Sequence, residues 1–327
     1  IGRCMKYTQL TLQKRYQISA LQKAGYNQKE IAKELLVHPS TISRELRRNR
    51  DSFRGYNPEL AQIQSSKKHK EKFKRQSITK RVEKYIRIKL KEDWSPEQIS
   101  GRMKLDTGIY VVHETIYRYI YDNKANGGKL YTSLRHKNKK YHKRSNDYKA
   151  RGTIIDRVMI DKRPKIVEEK SRIGDLEIDT VIGKNHIGAL VTVVDRKSKF
   201  AIIKNVPSKE ARIVAQALIE MIQPIKAITH TITSDNGKEF AYHKEVAAAL
   251  DADFYFANPY HSWERGLNEH TNGLIRQYLP KKSEFTNVSK DEIIMIQNRL
   301  NHRPRKVLGY KTPYEVFFSE MSKKLAS

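Results

Sequence analysis

Hydrophobic positions in the first third of the chain recur at three- and four-residue spacing, the period of a helix buried along one side. Ile31, Ala32 and Leu35 form one such stripe, and Ile42 and Leu46 form the next. Asn27 followed by Glu30 reads as a capping box, and Pro39 suits the first position of a helix. The pattern predicts two helices joined by a turn at Val37-His38. Ser40, Thr41, Ser43, Arg44, Arg47 and Arg48 fall off the stripe and face outward. Leu36 stands where many such turns carry glycine. A second pair is predicted from Ser95 to about Tyr121. Ser95 is its N-cap, Pro96 its first helical residue and Gln98 its capping partner, with Ile99 and Met103 inward. Its second helix starts near His113, with Ile116, Tyr119 and Ile120 inward and His113, Thr115 and Arg118 outward. Between the pairs, Lys67 to Arg75 reads as a solvated helix face or a phosphate track.

From about Arg172 the period changes to two. Leu176, Ile178 and Ile182 alternate with Asp175, Glu177 and Asp179, which predicts a strand with one apolar and one acidic face. Ala189–Val194 and Ala201–Val206 read as further strands across a turn at Asp195-Arg196-Lys197-Ser198. A helix from about Ser208 to Ile222, a strand ending at Ser234, a helix near Glu239–Leu250 and a short strand at Phe254-Tyr255-Phe256 follow. The stretch Trp263–Tyr278 then reads as a helix, with Glu269 and Arg276 two turns apart on one face. The order β-β-β-α-β-α-β-α predicts a mixed sheet flanked by helices, as in the ribonuclease-H-like fold. Beyond it, Glu292 to Tyr314 reads as a helix and a basic Arg303-Pro304-Arg305-Lys306 turn that packs, or contacts DNA or a partner subunit.

Charge changes this picture from structural to functional. The 327 residues carry a net charge of +29, which calls for a polyanionic partner, most simply nucleic acid. The excess is uneven, since residues 1–150 hold 36 Lys/Arg against 14 Asp/Glu. The outward positions Ser40, Thr41, Arg44, Arg47 and Arg48, with His113, Thr115 and Arg118, become candidates for contacts in DNA grooves. The basic run Arg135 to Arg144 reads as a linker along a DNA backbone. The expected organisation is a helix-turn-helix domain over residues 1–60, a second over 61–125, a basic linker over 126–170, and an α/β catalytic domain with a helical extension over 171–327. Cys4 is the lone cysteine, which excludes an internal disulfide and fits a reducing cytoplasm. No apolar run reaches membrane-spanning length and no signal-peptide pattern is visible, so no membrane partner is expected.

The acids supply the candidate chemistry. Phosphoryl transfer on DNA uses two divalent ions about 4 Å apart, and Mg²⁺ or Mn²⁺ prefers carboxylate ligands. Asp179 or Glu177 in the middle of a strand, sharing a face with Asp175, could bridge the ions. Asp235, where Asn236-Gly237 turns the chain, is the natural second ligand, and Glu269 would complete the site. Arg276 is placed to contact a phosphate.

These motifs resemble the insertion-sequence-30 family of transposases, within the group that uses an Asp-Asp-Glu triad. The resemblance rests on Ser40–Asn49, Trp94–Ile99, His113–Tyr117, Gly174–Asp179, Thr233–Gly237, Trp263–Tyr278 and Leu300–Tyr310, with 33 residues between Asp235 and Glu269. It implies Asp179, rather than Asp175 or Glu177, as first ligand, with Asp235 and Glu269 following and Arg276 as the basic residue after the Glu. It implies an α+β multidomain chain, with the helix-turn-helix domains ahead of an integrase-type catalytic domain. The activity implied is binding of terminal inverted repeats, then cleavage and strand transfer with Mg²⁺ or Mn²⁺. The partners implied are double-stranded DNA at transposon ends and targets, and a homodimer or larger assembly on paired ends. The place implied is the bacterial cytoplasm, at the nucleoid. Two other readings remain: a DNA-binding regulator with an inactive sheet domain, and a structure-specific nuclease of the same fold.

Overall fold

The computed structural model describes residues 9–51, 55–71, 78–135, 154–259, 261–281 and 283–325. The chain divides into two compact units, Ile1–Gln76 and Ser77–Ser327. Most of the basic runs Lys67–Arg75 and Arg135–Arg144 lies outside the described residues, apart from 67–71 and Arg135.

The first unit holds α1 (Leu12–Lys23), α2 (Gln28–Glu34), α3 (Pro39–Asn49), a short hairpin of β1 (Arg50–Asp51) and β2 (Gly55–Tyr56), and α4 (Pro58–Glu71). The expected capping box on α2 forms, with Asn27 accepting from the Lys29 and Glu30 amides and Glu30 accepting from the Asn27 amide. The predicted stripes meet: Ile31, Ala32, Leu35, Ile42 and Leu46 pack with Ile18 from α1. A buried ion pair between Arg15 and Glu45, 2.7 Å apart, ties α1 to α3, and the Tyr56 hydroxyl donates to the same carboxylate at 3.1 Å. The turn after α2 is made without glycine. Leu36 takes φ +52°, while the Val37 amide reaches back to the Ala32 carbonyl. Its side chain is 86 % exposed, so nothing offsets the left-handed backbone.

The second unit begins with α5 (Lys80–Lys91), α6 (Pro96–Thr107) and α7 (His113–Ala125). Ser95 and Gln98 form the expected capping box, with Pro96 in the first turn. Ile99, Met103, Ile116 and Ile120 are buried as predicted, against Val82, Ile86 and Leu90 of α5, a helix the sequence reading did not anticipate. Tyr119 is only half-buried, its hydroxyl donating to Glu83 at 2.7 Å.

The rest of this unit is one sheet with helices on both faces. After α8 (Lys165–Glu169) come β3 (Asp175–Ile182), β4 (Ala189–Asp195), β5 (Ala201–Val206), α9 (Ala211–Ile222), β6 (Thr231–Ser234), α10 (His243–Leu250), β7 (Asp253–Phe256), α11 (Gly266–Ile275), α12 (Lys290–Asn301) and α13 (Pro313–Leu325). The strand order is β5-β4-β3-β6-β7. The first three strands pair antiparallel, and β6 and β7 add parallel to β3. This is the ribonuclease-H-like arrangement that the element order predicted. Leu176 and Ile178 face α9 and α10, packing with Val214, Leu218, Val246 and Leu250. On the opposite face, Val181, Leu190 and Ile203 pack with Leu274 and Ile275 of α11 and Ile293, Ile296 and Leu300 of α12. Arg102 of α6 makes a two-pronged ion pair with Glu315 of α13, both contacts 2.6 Å. Gly101 lets α6 approach, since a Cβ there would lie 2.4 Å from the Tyr310 ring.

Candidate active site

On the acidic face of β3, the first two acids are buried against arginines. Asp175 is fully buried, held by Arg172 at 2.9 and 3.1 Å and by the Thr231 hydroxyl at 2.9 Å. Glu177 is 2 % exposed and pairs with Arg196 at 2.7 Å, itself buried. A carboxylate so placed is neutralised, and removing its cation would strand a charge.

Asp179, two residues on, is treated differently. Its Oδ1 accepts the Thr180 amide at 2.9 Å, and its Oδ2 accepts from Asn272 Nδ2 at 2.7 Å and from Arg265 at 2.9 Å. The other end of the same guanidinium reaches Asp235 at 3.0 Å. Two carboxylates from adjacent parallel strands therefore share one cation. Burial pushes the Asp179 carboxyl above its usual range, Arg265 opposes that shift, and Asp235 adds to it. Arg265 is drawn down by its own burial, yet the two carboxylates outweigh this and hold it above its usual range.

The turn after β6 aims Asp235. Its Oδ1 accepts the Gly237 amide at 2.9 Å, and Asn236 donates to the Ala257 carbonyl at 2.6 Å. Gly237 is required by space: a Cβ would stand 2.9 Å from Asp235 Oδ1 and 2.5 Å from Glu239 Oε2. Glu239 is thus a further carboxylate beside Asp235, fixed by the Thr180 hydroxyl at 2.9 Å. Sequence reading did not assign it, nor Arg265 or Asn272. The last two were legible as neighbours of Glu269 at helical spacing, but nothing in the spacing says which side chain reaches the strand.

Glu269 lies in the first turn of α11, exposed, one turn beyond Arg265, and does not touch the aspartates. Among the described residues no three Asp, Glu, His or Cys side chains converge closely enough to hold a metal ion. Arg276 caps the end of α11. Its guanidinium donates to the carbonyls of Ile182 (2.8 Å) and Pro280 (3.3 Å) and lies over the Phe285 ring. The expected helix over Trp263–Tyr278 is shorter than its pattern, because a 3₁₀ turn takes Ser262–Arg265. That turn is what delivers Arg265 to the strands.

On the helical units, Arg44, Arg47 and Arg48 are exposed along α3, while Ser40 and Thr41 are half-buried at its start. Ser40 Oγ lies 2.8 Å from His38 Nδ1. On α7, Arg118 is exposed, and His113 and Thr115 are half-buried. Among the described residues no helix is long and apolar enough to cross a membrane.

Residues 6–49 match the helix-turn-helix domain family. The chain is 48 % identical over 309 residues to the transposase for insertion sequence element IS4351 of Bacteroides fragilis, covering 94 % of this chain and 95 % of that protein. It is 33 % identical over 323 residues to the transposase for insertion sequence element IS1086 of Cupriavidus metallidurans, covering 95 % and 94 %. It is also 33 % identical over 325 residues to transposase InsI for insertion sequence element IS30A of Escherichia coli, covering 94 % and 82 %. The crystal structure of the catalytic core domain of BIV integrase overlaps 46 % of this chain and 98 % of its own, with a TM-score of 0.38 at 19 % identity. Identity of this degree along nearly the whole length settles the family, and the chain belongs to the insertion-sequence-30 family of transposases.

Proposed function

We propose that this transposase binds the terminal inverted repeats of its element through its helix-turn-helix units and cleaves and transfers DNA strands between the middle of β3 and the end of β6. The observation that carries the catalytic reading is the sharing of one buried cation by Asp179 and Asp235. The donor set suits a hard divalent ion, Mg²⁺ or Mn²⁺. It offers two carboxylates from neighbouring strands and, beside Asp179, the Asn272 Oδ1 atom, a buried acceptor with no partner among the described residues. Glu269, exposed one turn beyond Arg265, is assigned as the third carboxylate. When bound, the metal would polarise the scissile phosphate and lower the pKa of attacking water.

The chain's own residues do the rest. The Thr180 amide and Asn272 fix the Asp179 carboxylate, and the Gly237 amide fixes that of Asp235, so both keep their aim as charge develops on the phosphate. Arg44, Arg47 and Arg48 on α3, with Ser40 and Thr41, are assigned to end recognition. His113, Thr115 and Arg118 on α7 are assigned to a second contact, and Arg276 to the DNA end. Double-stranded DNA at element ends and targets is the substrate, and a homodimer or larger assembly on paired ends is the working form.

The test is nicking of a duplex carrying the element's end in Mg²⁺, against a scrambled duplex, by wild type and Asp235→Asn. End-dependent nicking that falls at least about a hundredfold in the variant supports the reading. Equal nicking of both duplexes would favour a structure-specific nuclease, and undiminished nicking by the variant would remove Asp235 from the site.

A further inference from the structure

Beside the carboxylate pair lies a cavity of about 1110 Å³. Its floor is the acidic face of β3 at Glu177, and its walls are the start of α11, the β4–β5 turn, α8 with its flanks, and the Arg305–Leu308 turn. Its lining carries seven Lys and Arg against four Asp and Glu, with Asp161 and Glu264 among the acids. Glu177 and Glu168 are already engaged by Arg196, and Glu168 also by Arg163. Lys165, Lys170, Lys199 and Arg305 also line it, and none has a carboxylate partner at ion-pair distance among the described residues. Among the described residues, the Lys199 amine donates to the Arg196 carbonyl, and the Arg305 guanidinium to the Leu300 carbonyl at 3.1 Å. The buried Nε atoms of Arg163, Arg196 and Arg305 have no partner among the described residues.

Such a wall is costly, because burying cations without counter-charge is unfavourable. The titration of its groups registers that cost. Burial, with Lys170 and Arg196 nearby, pushes the Lys199 amine down to about 8. Burial, with Arg303 and Arg135, pushes Arg305 down to about 10. An anion in the cavity would relieve both.

We propose that this cavity is a phosphate-binding channel that holds the backbone of a single DNA strand next to the Asp179–Asp235 pair. The position favours a strand over a free anion. The cavity shares β3 and the start of α11 with the carboxylate pair, and Glu177 lies two residues from Asp179 on the same strand face. A strand whose reacting phosphate sits at the aspartates therefore carries its next phosphates into the channel. Lys165 and Lys170 stand exposed at the rim, and Lys199 and Arg305 stand deeper. This use of the cavity rests on the transposase reading of the adjoining site, but its test requires no cleavage.

The test is binding of the full chain to a fluorescent ten-nucleotide oligothymidylate, by anisotropy in EDTA between 50 and 200 mM salt. Single strands lose about 0.7 of log-log salt slope per phosphate contact removed. Lys199→Gln/Arg305→Gln is expected to weaken binding about tenfold and to reduce the slope by about 1.4. The matched control Lys209→Gln/Lys290→Gln, at exposed positions elsewhere, should change neither. Since Arg305 is largely buried, the exposed pair Lys165→Glu/Lys170→Glu repeats the experiment where folding is not at stake, and it too should weaken binding and flatten the slope. Unchanged affinity and slope in both cavity variants overturns the proposal. Protection of wild type by sulfate in a thermal melt, with oligonucleotide binding indifferent to the variants, would assign the cavity to a free anion and overturn it equally. Loss of oligonucleotide binding in a protein that cannot nick would leave the channel standing and the catalytic reading failed.

Discussion

The two halves of the acidic face of β3 hold their charges in opposite ways. At its start, Asp175 pairs with Arg172, and Glu177 pairs with the buried Arg196 of the β4–β5 turn, whose other arm reaches the exposed Glu168. In its middle, Asp179 has half an arginine, because Arg265 is divided between it and Asp235. The first arrangement closes a core, and the second leaves two carboxylates short of positive charge at the mouth of a cleft. Acids on one strand are thus held differently according to how the neighbouring loops supply their cations. A bridging divalent ion would complete the second arrangement and has no place in the first.

The largest effect should come from breaking the closed half. Arg196→Met leaves Glu177 buried with only the Asn268 amide at 3.4 Å, and should cost about 3–5 kcal/mol in denaturant unfolding. Adding Mn²⁺ should not recover it. Arg265→Met should cost less, about 1–3 kcal/mol, because Asp179 and Asp235 keep 18 % and 36 % of their side chains exposed to water. Millimolar Mn²⁺ should restore much of that loss, since the ion takes over the cation's place. Equal responses of the two variants to Mn²⁺, read as melting temperatures, would erase the distinction between the halves.

A smaller effect is expected where α6 meets α13. Hydrogen bonds from Arg102 hold the Glu315 carboxyl well down, at about 2 against an ordinary value of 4.5. A depressed acid stabilises the fold above its unfolded value and loses that contribution as pH falls through its folded one. The melting-temperature gap between wild type and Glu315→Gln should therefore be full above about pH 4.5 and vanish toward pH 2. A gap that widens in acid would contradict the pairing. The smallest change concerns Leu36. Leu36→Gly should stabilise the first unit by about 0.5–1 kcal/mol by removing left-handed strain, seen as a higher denaturant midpoint.

Much of the fold was legible because burial follows period. The stripe Ile31-Leu35-Ile42-Leu46 marked its helices, and so did the alternation of β3, since both report one face against a core. The caps at Asn27 and Ser95 were legible for the same local reason. Helix α5 was missed although Val82, Ile86 and Leu90 stand four apart with Lys and Arg dense between them. Helix starts drifted where a short turn intervened. Ser208 accepts from the Glu210 amide and α9 begins only at Ala211, and a 3₁₀ turn precedes α11. At the site, the sequence offered three acids on one strand face, and family resemblance singled out Asp179. Arg172 stands only three residues from Asp175, but the arginine that neutralises Glu177 is brought by tertiary structure. Arg196 is 19 residues from Glu177 in sequence, and no local pattern joins them.

The most direct measurement compares Glu177→Gln and Asp179→Asn side by side for Mg²⁺-dependent nicking of the end-containing duplex, normalised to folded protein. The account predicts that Glu177→Gln melts earlier yet nicks within a few-fold of wild type. It predicts that Asp179→Asn stays folded and loses at least about a hundredfold in rate. A folded Asp179→Asn protein that nicks like wild type would contradict the assignment of the chemistry to the shared-cation half of β3.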